Sequence, residues 1–167
     1  VNSSILYSIS SSSLYGAGVF DVNIKKTLYA YDVNERVNPA SLTKIMTALV
    51  AIENCNLDDV VTVPDVSIGE EGVQTFGLKE GDKITVKNLL YISLVYSGND
   101  ASLCLAKYVA GSEAAFAEMM NAKAASLGAS NSHFINPHGL TSSEHYTAAY
   151  DLYLIFNAAC KHQEFLD

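Results

Sequence analysis

The stretch that most constrains the fold is the apolar segment that follows Pro39-Ala40-Ser41-Leu42-Thr43-Lys44. Hydrophobic side chains occupy nearly every position from 45 to 52, so a helix there is apolar on almost all sides. Such a helix belongs in the interior of a domain. Proline is tolerated at a helix start, where the first backbone N–H groups lack intrahelical partners, and Pro39 fits that position. The sequence therefore predicts a buried helix that begins around Ser41 and ends near Asn54.

Ser41 and Lys44 form a candidate catalytic pair at the start of this helix. Residues three apart share a helix face, so the hydroxyl and the amine can meet. The unpaired N–H groups and the positive end of the helix dipole favour negative charge at the serine oxygen. The same field, together with burial, favours the neutral amine of Lys44. A neutral amine beside a hydroxyl is a general base beside a nucleophile.

Taken alone, a serine and a lysine at this spacing are more often solvated helix positions than a catalytic pair. Two features favour the catalytic interpretation here. No other serine in the chain has a lysine three positions later, and the helix that carries this pair is predicted to be buried.

Composition limits the classes of function. The 167 residues suit a single domain, and 49% hydrophobic with 17% charged residues is typical of a globular protein. A net charge of −8 argues against nucleic acid as a partner, because phosphate binding relies on clustered lysine and arginine. No apolar run reaches membrane-spanning length, and no signal peptide or membrane anchor is recognisable in the chain.

Histidine and cysteine suggest no metal site or cofactor. The histidines and the nearby Glu144 follow no standard zinc spacing, and the cysteines, which form no Cys-x-x-Cys pair, are expected to be small buried or half-buried residues. The residues concerned are His133, His138, His145 and His162, and Cys55, Cys104 and Cys160.

The rest of the chain alternates short strands with helices. Residues 16–22 and 27–31 predict a β-hairpin, and residues 60–63 and 83–86 predict two further short strands. Glu70 and Glu71, between those strands, are expected in a solvated loop. Helices are predicted at 86–95, 101–109, 112–127 and from about 147 to 159, with Ser112 as an N-cap and Gly128 as a terminator.

A polar turn, Ser97-Gly98-Asn99-Asp100, separates two of these apolar helices. A turn at such a core position is expected to point into a cavity. Asp100 is a candidate cap for the helix that resumes there. Tyr91 and Tyr96, on the helix before the turn, are expected to pack and not to catalyse.

Ser41-x-x-Lys44 with Ser97-x-Asn99 downstream resembles the active site of penicillin-binding proteins and serine β-lactamases, where the two motifs face each other across one cleft. The flanking text, including Asn136-Pro-His-Gly-Leu140, is similar to the low-molecular-mass D-alanyl-D-alanine carboxypeptidases from about Gly16 to Asn157. The resemblance implies an α/β fold of the α+β type, with a helical core and an antiparallel sheet. Residues 16–167 then form part of one penicillin-binding domain, and residues 1–15 are an N-terminal segment with little to assign.

The resemblance also implies roles for the site residues. Ser41 is expected to attack the carbonyl between two D-alanines, and Lys44 to accept its proton. Ser97 is expected to relay a proton to the departing amine, and Asn99 to orient Lys44 and bind the substrate backbone. The N–H of Ser41 is expected to be one half of the oxyanion hole. The segment 136–140 is expected to be a structural turn.

The family carries a third motif, Lys-Thr-Gly or a close variant, on a later strand, and these 167 residues lack it. About two of the five expected strands are present, so we interpret the chain as lacking the C-terminal strands of the family. Three explanations stand: an engineered or proteolytic fragment of a longer enzyme, a second chain or copy that completes the sheet, or a natural short form without activity. We favour the fragment.

By resemblance, the expected function is a bacterial serine-type D-Ala-D-Ala carboxypeptidase that trims peptidoglycan stem peptides in the cell envelope, with β-lactam antibiotics as covalent inhibitors. β-Lactamase activity is less favoured, because no distinct glutamate motif is assignable to a deacylating water. The alternative is a fragmentary or inactive member of the same fold that binds peptidoglycan or another protein.

Overall fold

The computed structural model describes residues 14–69 and 72–167. Residues 1–13, which make up most of the N-terminal segment 1–15, lie outside the described residues. So do Glu70 and Glu71, for which the sequence predicts a solvated loop.

The predicted hairpin and the two further predicted strands form, as two separate antiparallel ladders. Strand β1 (Ala17–Asp21) pairs with β2 (Lys26–Tyr31), with a register shift between Val19 and Phe20. Strand β3 (Val60–Thr62) pairs with β4 (Lys83–Thr85). The hairpin is held to the helical core by Phe20, whose ring stacks 4.2 Å from that of Tyr153.

Six α-helices and a preceding 3-10 turn, Ala40–Leu42, make up the helical part of the described chain. Ser112 caps the fourth helix, as predicted, by accepting from the N–H of Ala115, and Gly128 ends that helix in the left-handed conformation. The helices are α1 (Thr43–Asn54), α2 (Val86–Leu94), α3 (Asn99–Ala110), α4 (Glu113–Leu127), α5 (Ala149–Ala159) and α6 (Gln163–Leu166).

Helix α1 is the centre of the molecule, as its apolar sequence predicts. Eight of its twelve residues are buried, and it contacts α2, α3, α4, α5 and α6. Two apolar clusters share it. The first cluster, formed with α2, α3 and β3, includes Ala48, Ala51, Val61, Leu89 and Leu105, and the second, formed with α4 and α5, includes Met46, Leu49, Phe116, Met120 and Ile155.

The predicted cap at Asp100 is wrong. Gly98 is the N-cap of α3, and Asp100 lies within the first turn of the helix. Its carboxylate accepts from the backbone of a separate segment, residues 76–78, because those N–H groups have no helical or strand partners.

Two further expectations concern single residue types. The three cysteines are free thiols, buried or half-buried as predicted. Tyr96 packs edge-on against Phe76, with ring centroids 5.6 Å apart.

Among the helices of residues 14–69 and 72–167, none has the length and apolar character needed to cross a membrane.

Candidate active site

Ser41 lies in the 3-10 turn that leads into α1, and two side chains converge on its oxygen. Lys44 Nζ donates to Ser41 Oγ over 3.2 Å, since the two residues lie one turn apart as predicted. Ser97 Oγ, from the turn between α2 and α3, donates to the same oxygen over 3.0 Å. The structure thus brings together three of the four predicted site residues, although Ser97 is 56 positions from Ser41 in the sequence.

Lys44 is almost fully buried, with 2% of its surface exposed. Its ammonium also donates to the backbone carbonyl of His138 over 2.7 Å. Because burial removes water from the charged form, the pKa of Lys44 is lowered from 10.5 to about 8. By that value about a tenth of the amine is neutral at pH 7, which makes Lys44 a usable proton acceptor.

Asn99 occupies the first position of α3 and is 6% exposed. Its backbone N–H donates to the carbonyl of Gln74 over 3.0 Å. Among the hydrogen bonds of the described residues, none joins Asn99 to Lys44. The carbonyl of His138 holds the amine where Asn99 was expected to do so, and substrate binding by Asn99 stays a prediction.

The segment 136–140 forms the predicted turn, and it also has a function in the site that the sequence did not reveal. Asn136 closes the turn, because its Oδ1 accepts from the N–H of Gly139 over 2.7 Å and its Nδ2 donates to the carbonyl of Leu140 over 3.0 Å. Thr47 of α1 donates to the carbonyl of Pro137 over 2.6 Å. The turn therefore presents its carbonyls to α1, and that of His138 orients Lys44.

Gly139 allows this turn to approach the residue before the nucleophile. Its φ is +90°, and a Cβ built on it would lie 1.8 Å from the carbonyl oxygen of Ala40. Ala40 itself has a φ of +48°, and its N–H is held by Asn38 Oδ1 at 2.8 Å. Left-handed backbone is uncommon for a non-glycine residue, so the conformation before Ser41 is fixed by its neighbours.

His145 holds the first residue of α1, Thr43, by a hydrogen bond. Its Nδ1 accepts from the N–H of Ile135 over 3.1 Å, so Nε2 carries the proton and donates to Thr43 Oγ1 over 2.8 Å. Burial, with smaller contributions from the charges of His138 and His133, lowers the pKa of His145 to about 4. The imidazole is therefore neutral at physiological pH and acts as a fixed hydrogen-bond donor.

Ser41, Lys44 and Ser97 line a cleft of about 590 Å³. Its walls come from the 3-10 turn, the start of α1 and the end of α2 with the turn that follows it. The lining residues are Pro39, Ala40, Ser41, Leu42, Lys44, Ile45, Ser93, Leu94 and Ser97.

The described residues contain no group of three or more His, Cys, Asp or Glu side chains that could hold a metal ion. Two histidines face carboxylates instead. His138 Nε2 lies 3.2 Å from Glu113 Oε1, and His162 Nε2 lies 3.4 Å from Glu53 Oε1.

A hydroxyl held between a partly neutral amine and a second hydroxyl is an arrangement for nucleophilic acyl transfer. The amine can accept the nucleophile's proton. The second hydroxyl, Ser97, can pass a proton to a leaving group on the open side of the cleft.

Comparison with known proteins points to one family. The sequence profile of peptidase family S11, described as D-alanyl-D-alanine carboxypeptidase, matches residues 9–165. That match begins before Gly16 and continues beyond Asn157, the limits expected from the motifs. D-alanyl-D-alanine carboxypeptidase DacF of Bacillus subtilis is 40% identical over 143 residues, which cover 83% of this chain and 36% of DacF.

Solved structures agree with the sequence match. The crystal structure of D-alanyl-D-alanine carboxypeptidase DacD from Francisella tularensis aligns with a TM-score of 0.82 at 34% identity, covering 93% of this chain and 38% of that one. A serine-to-alanine mutant of Streptomyces K15 DD-transpeptidase aligns with a TM-score of 0.84 at 31% identity, covering 89% and 62%. These likenesses confirm the expected fold, and the chain spans about a third of the length of DacF and DacD.

Proposed function

The chain belongs to the D-alanyl-D-alanine carboxypeptidase family, peptidase family S11, and from that membership we propose that it carries the acyl-transfer site of a serine-type D-Ala-D-Ala carboxypeptidase. Its substrates would be peptidoglycan stem peptides that end in D-Ala-D-Ala, and it would act outside the cytoplasm, in the cell envelope. The observation that supports this most directly is the convergence of Lys44 Nζ and Ser97 Oγ on Ser41 Oγ.

Acylation begins with the neutral form of Lys44. One N–H of the amine stays bonded to the carbonyl of His138, which leaves the nitrogen lone pair free to accept the proton of Ser41 Oγ. The serine oxygen attacks the carbonyl carbon between the two D-alanines and forms a tetrahedral oxyanion. The backbone N–H of Ser41 lies at the start of the helix and would stabilise that charge, an interaction worth about 3–4 kcal/mol where such a donor has been removed.

Collapse of the tetrahedral intermediate breaks the peptide bond. The leaving nitrogen takes a proton from Ser97 Oγ, and the Lys44 ammonium returns a proton to Ser97 directly. Both groups lie against Ser41 Oγ, and that oxygen, now bonded to the acyl carbon, has no proton to pass on. The terminal D-alanine departs as a free amino acid, and the ester on Ser41 is hydrolysed when Lys44 accepts a proton from water. A β-lactam ring offers Ser41 the same acyl carbon, but its leaving amine remains tethered, so the ester would persist and the drug would act as a covalent inhibitor.

A fluorescent penicillin tests the proposal on the full-length encoded protein. We expect a covalent adduct that maps to Ser41 and is lost in Ser41→Ala. Ser126→Ala removes an exposed hydroxyl of α4 that bonds only to the Lys123 carbonyl, and it should label normally. An unlabelled wild-type protein, or an adduct that survives Ser41→Ala, would refute the proposal.

A second candidate is a non-catalytic peptidoglycan-binding or protein-binding module of the same fold. That alternative stays a prediction. It predicts that the 167-residue chain binds a stem peptide without releasing D-alanine, and measurable release by the purified chain would exclude it. Completion of the sheet by a second chain likewise stays a prediction, to be tested by the oligomeric state of the same sample.

A further inference from the structure

Asp100 is a buried carboxylate that the acyl-transfer mechanism does not use. Only 3% of its surface is exposed, and no salt bridge in the described part of the chain includes it. Four backbone N–H groups satisfy it instead. Oδ1 accepts from Phe76 and Ala101, both at 3.0 Å, and Oδ2 accepts from Gly77 at 2.8 Å and Leu78 at 3.0 Å.

Three of those donors belong to the segment 74–78, which has no helix or strand of its own and is largely exposed. Without the carboxylate, these N–H groups would have only water as a partner. Hydrogen bonds to a charged group are roughly twice as strong as those between neutral groups. Asp100 is therefore the main anchor of this segment on α3.

The anchored segment contacts the residues on both sides of Ser97. Gln74 accepts from the backbone N–H of Asn99 at 3.0 Å, and its side chain donates to the carbonyl of Tyr96 at 3.4 Å. The ring of Phe76 packs edge-on against that of Tyr96. The segment thus forms the outer support of the turn that carries Ser97.

That turn needs support, because Ser97 has a φ of +63°. A left-handed conformation in a residue other than glycine persists only where the surroundings hold it. The inner support is visible: the N–H of Gly98 donates to the carbonyl of Ile92 at 2.9 Å, and Ser102 Oγ donates to the carbonyl of Gly98 at 3.0 Å. The outer support comes from the segment that Asp100 anchors.

We propose that Asp100 is a positioning residue for the acyl-transfer reaction: its carboxylate fixes the segment 74–78 and, through it, holds Ser97 in the left-handed conformation that places Oγ on Ser41. This inference rests on the proposed function, because its effect on rate is exerted through Ser97. Asp100 itself touches none of the reacting atoms.

Asp100→Asn tests the anchor directly. Either orientation of the amide places an NH₂ donor against two backbone N–H donors that the carboxylate now accepts. We expect the amides of Phe76, Gly77 and Leu78 to exchange hydrogen at least about tenfold faster in the full-length protein, the factor that corresponds to losing about 1.4 kcal/mol of a charged hydrogen bond. Unchanged exchange at these amides would overturn the anchor.

Asp151→Asn is the matched control. Asp151 is also a buried carboxylate, and its Oδ2 accepts from the N–H of Asn131 at 2.7 Å and from Ser132 Oγ at 2.8 Å. Among the hydrogen bonds of the described residues, none joins Asp151 to residues 74–100. The Asp151→Asn variant should lose thermal stability, but amide hydrogen exchange at residues 76–78 should not change. Faster exchange there in Asp151→Asn as well would show a general loosening of the fold and would count against Asp100 as the specific anchor.

A double-mutant cycle tests the action through Ser97. Asp100→Asn should lower the second-order rate of acylation by penicillin about tenfold, and in a Ser97→Ala background the same change should have little further effect. An equal loss in both backgrounds, or a wild-type rate in Asp100→Asn, would overturn the positioning role. An unlabelled wild-type protein would refute the proposed function, whereas the exchange experiment would still decide whether Asp100 anchors the segment.

Discussion

At the scale of single residues, the burial of Lys44 sets the pH range over which Ser41 can be activated. Only the neutral amine accepts a proton, and the pKa of Lys44 lies at about 8. Acylation by penicillin should therefore rise about tenfold for each pH unit from 6 to about 8, and level off above that value. Stopped-flow labelling between pH 6 and 9.5 measures the profile.

The control for this profile is Lys83→Met, since Lys83 is an exposed lysine of β4 and its removal should leave the midpoint in place. A rate that does not depend on pH across this range would show that another group accepts the Ser41 proton.

His145 makes the free energy of unfolding depend on pH, and its lowered pKa sets the sign of that dependence. The folded-state pKa of about 4 lies below the ordinary value of 6.5, so the unfolded chain binds the proton first as the pH falls. The free energy of unfolding should fall by up to about 3 kcal/mol as the pH is lowered from 6.5 to 4, with no further fall from this group below pH 4. Below pH 4 both states are protonated.

Denaturant unfolding of the wild type and of His145→Gln at pH 4, 5, 6 and 7 isolates this contribution, because glutamine can donate a hydrogen bond but does not titrate. The difference in unfolding free energy between the two proteins should change with pH in favour of the variant at pH 4. Parallel curves would mean that the imidazole is not held neutral.

At the scale of elements, the contact between the 136–140 turn and the 3-10 turn is the tightest constraint on the nucleophile. Gly139→Ala would place a methyl group 1.8 Å from the carbonyl of Ala40, and the backbone next to Ser41 would have to move. We expect a loss of more than about 3 kcal/mol of unfolding free energy, since left-handed strain and a backbone clash add. Penicillin acylation should fall with it.

Gly81→Ala separates strain from clash. Gly81 has a φ of +91°, nearly that of Gly139, and no atom lies within 4 Å of a Cβ built on it. This variant should lose only about 1 kcal/mol and acylate normally. Equal losses in the two variants would show that the close approach to Ala40 contributes nothing.

The same elements show what sequence can predict. The bounds of α1 and of the hairpin follow from local hydrophobic pattern and turn residues, and the structure confirms both. The predicted cap at Asp100 is wrong because three of the four N–H groups that donate to its carboxylate lie more than 20 positions upstream, where no local rule applies. The role of the His138 carbonyl could not be predicted from the sequence either. Every residue has a carbonyl, and only the folded turn directs this one at Lys44.

At the scale of the whole molecule, α1 joins both apolar clusters, so they should unfold together. Leu49 is fully buried in the second cluster, and Leu49→Ala should cost about 2–5 kcal/mol. Native-state hydrogen exchange should then show equal losses of protection at Phe116 in the second cluster and at Leu105 in the first. Leu28→Ala, at a position 45% exposed on the hairpin, is the control and should change stability little.

Wild-type protection at Leu105 in the Leu49→Ala protein would contradict a single cooperative unit. The sequence could not predict this cooperativity, since it depends on which faces of α1 meet which helices. What the sequence did predict at this scale is the meeting of the two motifs, and that prediction came from resemblance to a family and not from residue spacing.

Burial of Lys44 has a thermal consequence for folding itself. At pH 9 the unfolded lysine holds its proton, whereas the folded amine, with a pKa of about 8, is mostly neutral, so folding releases about nine-tenths of a proton to the solvent. The buffer takes up that proton with its own heat of ionisation. Calorimetric enthalpies of unfolding measured at pH 9 in buffers of high and low ionisation heat should therefore differ for the wild type. The difference should shrink in Lys44→Met, because the methionine side chain has no amine from which folding could release a proton.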